Sequence, residues 1–357
     1  MATVVGGSED RRIDAGTLER FIADLFVGAG VPHEDADLLS EIIVGTDLRG
    51  IYSHGCALVP GYIDRMIGGQ IDPRGTPRVV RDTGAALVVD GGNTLGHIGL
   101  TFGMRRAIER ATTTGVAAVA VGGTNHCGAM ASYAMLALPH HMIGIATTNG
   151  LPTMAWWGGI DRILSINPVG IAIPAGEEPA IVIDFSFGGA ARGKIAIHHQ
   201  KGLPLPEGWA TDADGVPTTD PAAALGGLVQ PAGGYKGTSM ALVMGILSAL
   251  LSGAEYGTDL GDFVNGPKPG RDGQFGLVLN VAAFEDPARF ESRVDAIIRQ
   301  IHGSRVAPGV DRILIPGELE VEAERRYRAE GVPLTVGTCR ALADAAAKVG
   351  VGPGPVR

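Results

Sequence analysis

The chain has 357 residues, of which 45% are hydrophobic and 19% are charged, a composition typical of globular proteins. Single hydrophobic cores stop growing near roughly 250–300 residues, so we expect two or three lobes. The net charge is −9 and no segment is rich in lysine and arginine, which excludes the basic surface of a nucleic-acid-binding protein.

The cellular location is addressed by three sequence features. The longest apolar run, residues 240–251, is too short to span a bilayer and predicts a buried helix. The N-terminus lacks the basic start and long apolar core of a signal peptide. Cys56, Cys127 and Cys339 are widely spaced and form neither a CxxC pair nor an even disulfide set. We therefore expect a cytoplasmic protein with no membrane partner.

Residues 13–48 show helical periodicity, and Gly30-Val31-Pro32 divides them into two helices. A turn with Ser53-His54-Gly55 follows, and a third helix is predicted at residues 62–67. His54 is a candidate proton carrier, because the unperturbed pKa of histidine lies near neutral pH. Ser53 can hydrogen-bond its ring, although the same pair also fits a helix cap or a surface turn.

The central part alternates short apolar strands with helices and glycine-rich turns. Residues 202–231 form a polar, turn-rich loop that is long enough to be functional. Residues 318–348 predict one or two C-terminal helices. Strands are predicted at 86–90, 116–121, 143–147, 171–174, 181–184 and 275–281, and helices at 100–114, 236–251 and 288–301.

Familiar nucleotide and metal motifs are absent. No G-x-G-x-x-G follows a strand, so the Rossmann fingerprint is missing. Residues 233–239 superficially resemble a P-loop, but the lysine precedes the glycine. The histidine pairs at 140–141 and 198–199 are adjacent and cannot share one helix face, so no metal site is predicted.

Polar groups at the glycine-flanked ends of elements are the remaining candidates. Asn125-His126-Cys127-Gly128 is either a simple turn or a site where backbone N–H groups and an imidazole meet a ligand anion. Asp184 ends an apolar strand and either caps a helix or orients a catalytic imidazole. Lys236 lies at a helix start, where a cation opposes the helix dipole, and a bound phosphate would explain it. The loop at residues 305–311 predicts only a turn.

In this order, these segments resemble the malate/L-lactate dehydrogenase family that lacks a Rossmann domain. The resemblance covers about residues 17–316. The matching segments are Asp47-Leu48-Arg49-Gly50-Ile51-Tyr52-Ser53-His54-Gly55, Asn125-His126, Ile166-Asn167-Pro168, Ile183-Asp184, Arg192-Gly193-Lys194-Ile195, Pro206-Glu207-Gly208-Trp209-Ala210, Gly215-Val216-Pro217-Thr218-Thr219-Asp220-Pro221 and Gly234-Tyr235-Lys236-Gly237.

The resemblance implies hydride transfer between NAD or NADP and a 2-oxo or 2-hydroxy acid, or a cyclic imino acid, in a homodimer. It implies an α/β (α+β) fold with a largely antiparallel central sheet of non-Rossmann topology, flanked by helices. The division that follows is a helical region at 1–80, a nucleotide-binding domain at 81–310 and a segment at 311–357 that packs with the N-terminal region.

The same resemblance implies roles for individual residues. Ser53, His54 and Asp184 match the proton relay, with His54 as general acid, and His126 borders the nicotinamide or is itself the acid/base. The residues that match cofactor-binding positions are His126, Asp184, Phe185, Ser186, Lys236, Gly309, Val310 and Asp311.

Two departures from the family pattern concern the substrate. The family commonly has an arginine four residues after the Ser-His-Gly histidine, where it binds the substrate carboxylate, and this chain has Leu58. Arg49 is the nearest charged substitute. Trp156-Trp157 and Phe185 add bulk near the site, which favours a larger or less acidic substrate. The alternative is a catalytically lapsed nucleotide-binding subunit of the same fold.

Overall fold

The computed structural model describes residues 10–262 and 266–357, apart from the side chain of residue 200. Within them no helix is both long enough and apolar enough to cross a membrane. The helices are α1 (Ala15–Gly28), α2 (His33–Leu48), α3 (Val59–Ile67), α4 (Gly96–Thr114), α5 (Ala131–Ala134), α6 (Arg192–Lys201), α7 (Pro221–Gly226), α8 (Tyr235–Gly245), α9 (Pro287–His302), α10 (Glu318–Glu330) and α11 (Val336–Lys348).

Strands alternate with these helices along the chain. The strands are β1 (Arg11–Ile13), β2 (Arg78–Asp82), β3 (Ala86–Asp90), β4 (Val116–Thr124), β5 (Met142–Thr148), β6 (Val169–Ile173), β7 (Ile181–Phe185), β8 (Ala210–Thr211), β9 (Pro217–Thr218), β10 (Leu228–Val229), β11 (Gly261–Asp262), β12 (Gly266–Pro267), β13 (Asp272–Asn280) and β14 (Val332–Leu334).

Seven strands form the central sheet, in the order β2-β3-β4-β13-β5-β6-β7. Only β3 and β4 pair in parallel, and α4 connects them; every other neighbouring pair is antiparallel. Helix α4 packs closely on the sheet, because Gly103 and Gly276 leave room for Val121 and Met104. The predicted antiparallel, non-Rossmann sheet is confirmed.

A helical layer joins the two ends of the described chain. Buried side chains of α1, α2 and α3 share one hydrophobic cluster with residues of α10 and α11, among them Phe26, Leu39, Ile63, Tyr327 and Leu342. Strand β1 pairs with β14 in the same layer. The domain boundaries near residues 80 and 310 stay a prediction.

The prediction of a buried helix at residues 240–251 is wrong in its burial. The α-helical part, α8, ends at Gly245, and the next five residues, Ile246–Leu250, form a π-helical turn. Met240, Val243 and Leu250 are 45%, 45% and 58% exposed. The run is apolar on all sides, but this chain covers only one of its faces.

Candidate active site

The turn that carries Ser53 and His54 follows the end of α2. The chain reaches it through Gly50, whose φ of +77° favours glycine, and residues Tyr52–His54 form one 3₁₀ turn. Ser53 Oγ lies 2.9 Å from His54 Nδ1. Burial lowers the pKa of His54 from 6.5, so its ring is mostly uncharged at neutral pH.

His126 lies beside His54, although the two are far apart in sequence. It follows directly after Thr124 and Asn125 at the end of β4. Its ring stacks on that of His54, with a centroid separation of 5.9 Å and an interplanar angle of 20°. Burial lowers the pKa of His126 to about 3, and the charges of His54, His97 and Arg65 add to this effect. His126 is therefore a neutral imidazole at neutral pH.

The hydrogen bonds of His126 fix which ring nitrogen carries its proton. The backbone N–H of Gly128 donates to His126 Nδ1 at 3.3 Å, so Nδ1 must be the acceptor. The Tyr62 hydroxyl lies 2.6 Å from the same nitrogen. Burial raises the pKa of Tyr62 well above its usual value of 10, so the hydroxyl keeps its proton and donates it. Neutral His126 then carries its hydrogen on Nε2.

Asp184 lies near the end of β7, paired with Gly170 of β6. Its carboxylate accepts a 2.7 Å hydrogen bond from the backbone N–H of Ala131, the first residue of α5. Burial raises the pKa of Asp184 to about 6, while hydrogen bonds from Ala131 and the charge of Arg49 oppose the shift. Arg49 Nε is buried and has no hydrogen-bond partner among the described residues. The charge of Arg49, in the turn after α2, therefore acts on the carboxylate at the end of β7 without an ion pair between them among the described residues.

Leu58 contributes an apolar surface next to the same turn. It is half-buried and packs against the cluster of the N-terminal helices. It lies in the 3₁₀ turn Cys56–Leu58, immediately before α3, which carries Tyr62. Leu58 therefore presents hydrocarbon at the position where the resemblance implies an arginine.

The residues predicted to bind cofactor form two neighbouring segments and one separate loop. Phe185 and Ser186 follow Asp184, and Phe185 is 49% exposed with its ring on Phe187. The Phe187 carbonyl accepts a hydrogen bond from Ala232 N at 2.9 Å, which brings this segment beside the turn before Lys236.

Gly309, Val310 and Asp311 lie apart, in an exposed stretch without regular structure. Neither this stretch nor Lys236 takes part in the hydrogen bonds and ring contacts of the histidine pair. Their roles stay a prediction.

Three residues behind the histidine pair were not predicted from sequence. Tyr62 contacts both His126 and, edge-on at 5.6 Å, the ring of His97. His97 is fully buried and neither ring nitrogen has a partner among the described residues. Arg65 donates to Asn125 Oδ1 at 3.0 Å. For Tyr62 and Arg65 the sequence did contain one signal. Their helical spacing from Leu58 places these two residues on the same helix face as Leu58.

A buried carboxyl completes this polar region. Asp272 at the start of β13 is 7% exposed, and burial raises its pKa to about 7 against the charge of Arg65. Asn125 Oδ1 also accepts from the backbone N–H of Gly270 at 3.3 Å. Helix α3, the loop after β4 and the start of β13 are thereby joined directly behind His126. Within the described ranges, no group of three or more His, Cys, Asp or Glu side chains could hold a metal ion.

The chain is similar to known dehydrogenases over most of its length. It matches the family described as malate/L-lactate dehydrogenase over residues 13–343. It is 38% identical over 313 residues to an L-sulfolactate dehydrogenase of Methanocaldococcus jannaschii, with 88% of this chain and 90% of the relative covered. A (2R)-3-sulfolactate dehydrogenase (NADP(+)) of Chromohalobacter salexigens is 32% identical, with 91% and 95% covered.

A solved structure of a sulfolactate dehydrogenase from M. jannaschii superposes with a TM-score of 0.90 at 35% identity. The match covers 96% of this chain and 98% of that one. Sequence and fold agree over nearly the whole chain, as the ordered motifs predicted. This chain belongs to the malate/L-lactate dehydrogenase family, and it is a dehydrogenase.

Proposed function

We propose that the protein catalyses reversible hydride transfer between NAD or NADP and a 2-hydroxy acid/2-oxo acid pair or a cyclic imino acid, with His54 exchanging the proton. The observation that carries this proposal is the stacked pair of neutral imidazoles, His54 and His126, held by Ser53 and Tyr62. The names of the relatives support hydroxy-acid oxidation as the reaction class.

The turn before α8 fits the phosphates of a dinucleotide. Gly233 and Gly234 have φ values of +69° and +65°, and the space that a Cβ on Gly233 would fill is open. Exposed Lys236 follows within the first turn of the helix. Backbone N–H groups in such a turn, together with a cation, suit an anion. When bound, the nicotinamide supplies or accepts the hydride.

His54 takes or gives the proton of the reacting oxygen or nitrogen. Its Nδ1 faces Ser53, so Nε2 is the nitrogen available to the substrate. A serine hydroxyl donates or accepts equally well, so it can hold His54 in either protonation state. In oxidation the hydroxyl proton of the substrate passes to His54. In reduction the protonated ring returns it and prevents a free alkoxide from forming.

His126 has a different part in the reaction. With Nδ1 already accepting from Gly128 and Tyr62, its Nε2–H is a fixed donor. A pKa of about 3 opposes its protonation, so it is a poor proton acceptor at neutral pH. We assign it the hydrogen bond to the substrate oxygen, which stabilises negative charge that develops there.

Asp184 and Arg49 complete the charges of the site. With a pKa of about 6, Asp184 is mostly ionised at neutral pH and supplies negative charge near the end of β7. Arg49, with its unpartnered Nε, is the group we assign to an acidic function of the substrate. Leu58 favours a substrate that is larger or less acidic than malate.

The proposal is tested by the absorbance of the nicotinamide band. NADH and NADPH are each incubated with 2-oxo acids and cyclic imines, and NAD and NADP with 2-hydroxy acids. Turnover of one class with either cofactor is the expected result. Nucleotide binding without turnover across the panel would instead support the catalytically lapsed subunit.

The substrate assignment has its own variant, Leu58→Arg. We expect this substitution to weaken turnover of the preferred substrate while improving use of small, doubly charged acids, because it restores a carboxylate partner. If activity on simple 2-oxo acids rises with no loss on the preferred substrate, the substrate preference assigned to Leu58 is wrong.

We also propose that the protein is a homodimer. The exposed apolar face of residues 240–251 would be covered by a second copy, since an open patch of this kind is a common association surface. Light scattering of the purified protein should give twice the chain mass, and Val243→Glu should shift the mass toward one chain. A cytoplasmic location, argued from the three unpaired cysteines, stays a prediction.

A further inference from the structure

The last turn of α2 holds a buried carboxylate that the proton chemistry does not use. Asp47 is 1% exposed. Its Oδ2 accepts the backbone N–H of Cys56 at 2.8 Å. Cys56 comes two residues after His54, so this hydrogen bond fixes the far end of the turn that carries the Ser53–His54 pair.

The same carboxylate is in close contact with Gly55. A Cβ on Gly55 would lie 2.0 Å from Asp47 Oδ1 and 2.3 Å from its Cγ. The φ of Gly55 is −97°, which lies outside the left-handed region that favours glycine. Glycine is needed because the carboxylate occupies the place of a side chain. Asp47 therefore sets how closely the turn approaches α2.

The other end of the turn is attached to the C-terminal helices. Tyr52, next to Ser53, hydrogen-bonds the Tyr327 hydroxyl of α10 at 2.5 Å. Arg326 donates to the same hydroxyl, also at 2.5 Å. Ser53 and His54 thus lie in the middle of a segment whose two ends, Tyr52 and Cys56, are both held by hydrogen bonds.

Nothing cationic compensates the Asp47 carboxylate among the described residues. Burial raises its pKa to about 7, and only hydrogen bonds with Cys56 oppose this. Its neighbours that titrate are Cys56 and Tyr52. A buried carboxylate without an ion pair is costly, and a leucine or alanine would fill the same site in a core that needed only packing.

We propose that Asp47 is a positioning residue, which holds the backbone at Gly55 and Cys56 so that the His54 ring stacks on His126 and faces the substrate. The inference rests on the proposed role of His54. A misplacement of about 1 Å in a catalytic group costs on the order of 100-fold in rate. The loss on removing Asp47 should therefore appear in kcat.

The test compares Asp47→Ala with Asp47→Asn, which keeps an acceptor oxygen for Cys56. Asp47→Ala should lower kcat about 100-fold with KM and nucleotide affinity nearly unchanged, and Asp47→Asn should recover most of the loss. Asp295→Ala is the matched control. Asp295 of α9 is also little exposed and accepts backbone N–H groups of Gly176, Glu177 and Glu178, none of which belongs to the turn of His54 or the loop of His126. It should lose stability and keep kcat.

Gly55→Ala is the second variant if Asp47→Ala does not fold, because its methyl group would push the turn off Asp47. A folded Asp47→Ala or Gly55→Ala with kcat within twofold of the parent overturns the inference, as does an equal loss in Asp295→Ala. His54→Gln distinguishes a failure of this inference from a failure of the proposed function. If His54→Gln keeps full turnover, the proposed function fails. If His54→Gln is inactive while Asp47→Ala and Gly55→Ala stay fully active, only the positioning role of Asp47 fails.

Discussion

At the scale of single residues, two donors decide how His126 behaves. The Gly128 N–H and the Tyr62 hydroxyl both point at Nδ1, and burial holds the ring neutral. Among the residues that the structure describes, the His54 ring hydrogen-bonds only the adaptable Ser53 hydroxyl. The two stacked rings are chemically similar, but their hydrogen bonds make one a fixed donor and leave the other free to exchange a proton.

Removal of the Tyr62 hydroxyl should weaken this distinction. Tyr62→Phe deletes one donor to His126 without opening a large cavity, and a typical hydrogen bond contributes about 1 kcal/mol. We expect kcat to fall by roughly 5- to 10-fold with nucleotide affinity unchanged. Tyr256→Phe is the control, since its buried hydroxyl has no partner among the described residues. Equal kcat in both variants would contradict the assigned role of Tyr62.

The sequence identifies only part of this site. Ser53 and His54 are adjacent, so their pairing is visible in a short motif. Tyr62 and His126 are 64 positions apart, and Asp47 and Cys56 are nine apart across a helix end. No local periodicity predicts contacts that depend on how α2, α3 and β4 meet. A role for Asp184 was suggested by its place at the end of an apolar strand, but its hydrogen bond from Ala131 became visible only in the fold.

At the scale of elements, the contact between β6 and α5 positions Asp184. A Cβ on Gly170 would lie 2.5 Å from the Met130 carbonyl carbon and 2.7 Å from Ala131 N. Both are backbone atoms, so they could make room for a Cβ only if the chain itself moved. Ala131 N is also the donor to Asp184, so close packing of a strand on a short helix and the hydrogen bond to the carboxylate depend on the same glycine.

Gly170→Ala should therefore damage stability and activity together. Overpacking of this kind costs about 1–3 kcal/mol, which urea unfolding measures, and kcat should fall because Asp184 loses its donor. Gly45→Ala is the control, since a Cβ there meets nothing within 4 Å, and a helical glycine replaced by alanine gains up to about 1 kcal/mol. A Gly170→Ala variant as stable as Gly45→Ala would refute the contact.

Helices and strands were predictable from sequence where the hydrophobic periodicity was clear and extended over several residues. The helical spacing and Pro32 gave α1 and α2, and β3 was predicted at residues 86–90, where it lies. Strands β1 and β14 have only three residues each and form because distant segments pair. Strand β2 has no apolar face, since all five of its residues are exposed. The loop at 202–231 contains three short strands and α7, which no periodicity indicates.

At the scale of the whole molecule, buried titratable groups act on stability in opposite directions. Asp47, Asp184 and Asp272 have raised pKa values in the fold, so their contribution is present below pH 3.8 and is lost as pH rises through about 6–7. His97 and His126 have pKa values lowered to about 3, so their contribution is present above pH 6.5 and is lost on acidification. Between these limits the two effects partly cancel.

Asp272→Asn isolates one of these groups. The native carboxyl stays protonated up to about pH 7, whereas the unfolded one ionises near 3.8. The variant should therefore gain stability relative to the parent as pH rises, with a larger difference at pH 8 than at pH 5 in urea unfolding. Asp295→Asn is the control, because the pKa of Asp295 is lowered by backbone hydrogen bonds and its effect should be the same at both pH values. A pH-independent difference for Asp272→Asn would contradict the burial argument.

The central claim, that His54 exchanges the proton, is tested most directly by the pH dependence of kcat/KM for hydroxy-acid oxidation. Because burial lowers the pKa of His54, the parent profile should rise with pH and level off, with a midpoint below 6.5. His54→Gln should lose this limb and about 100- to 10,000-fold in rate while it binds nucleotide normally. If His54→Gln keeps the rate and the limb, and His126→Gln abolishes both, the proton passes through His126 and the account is contradicted.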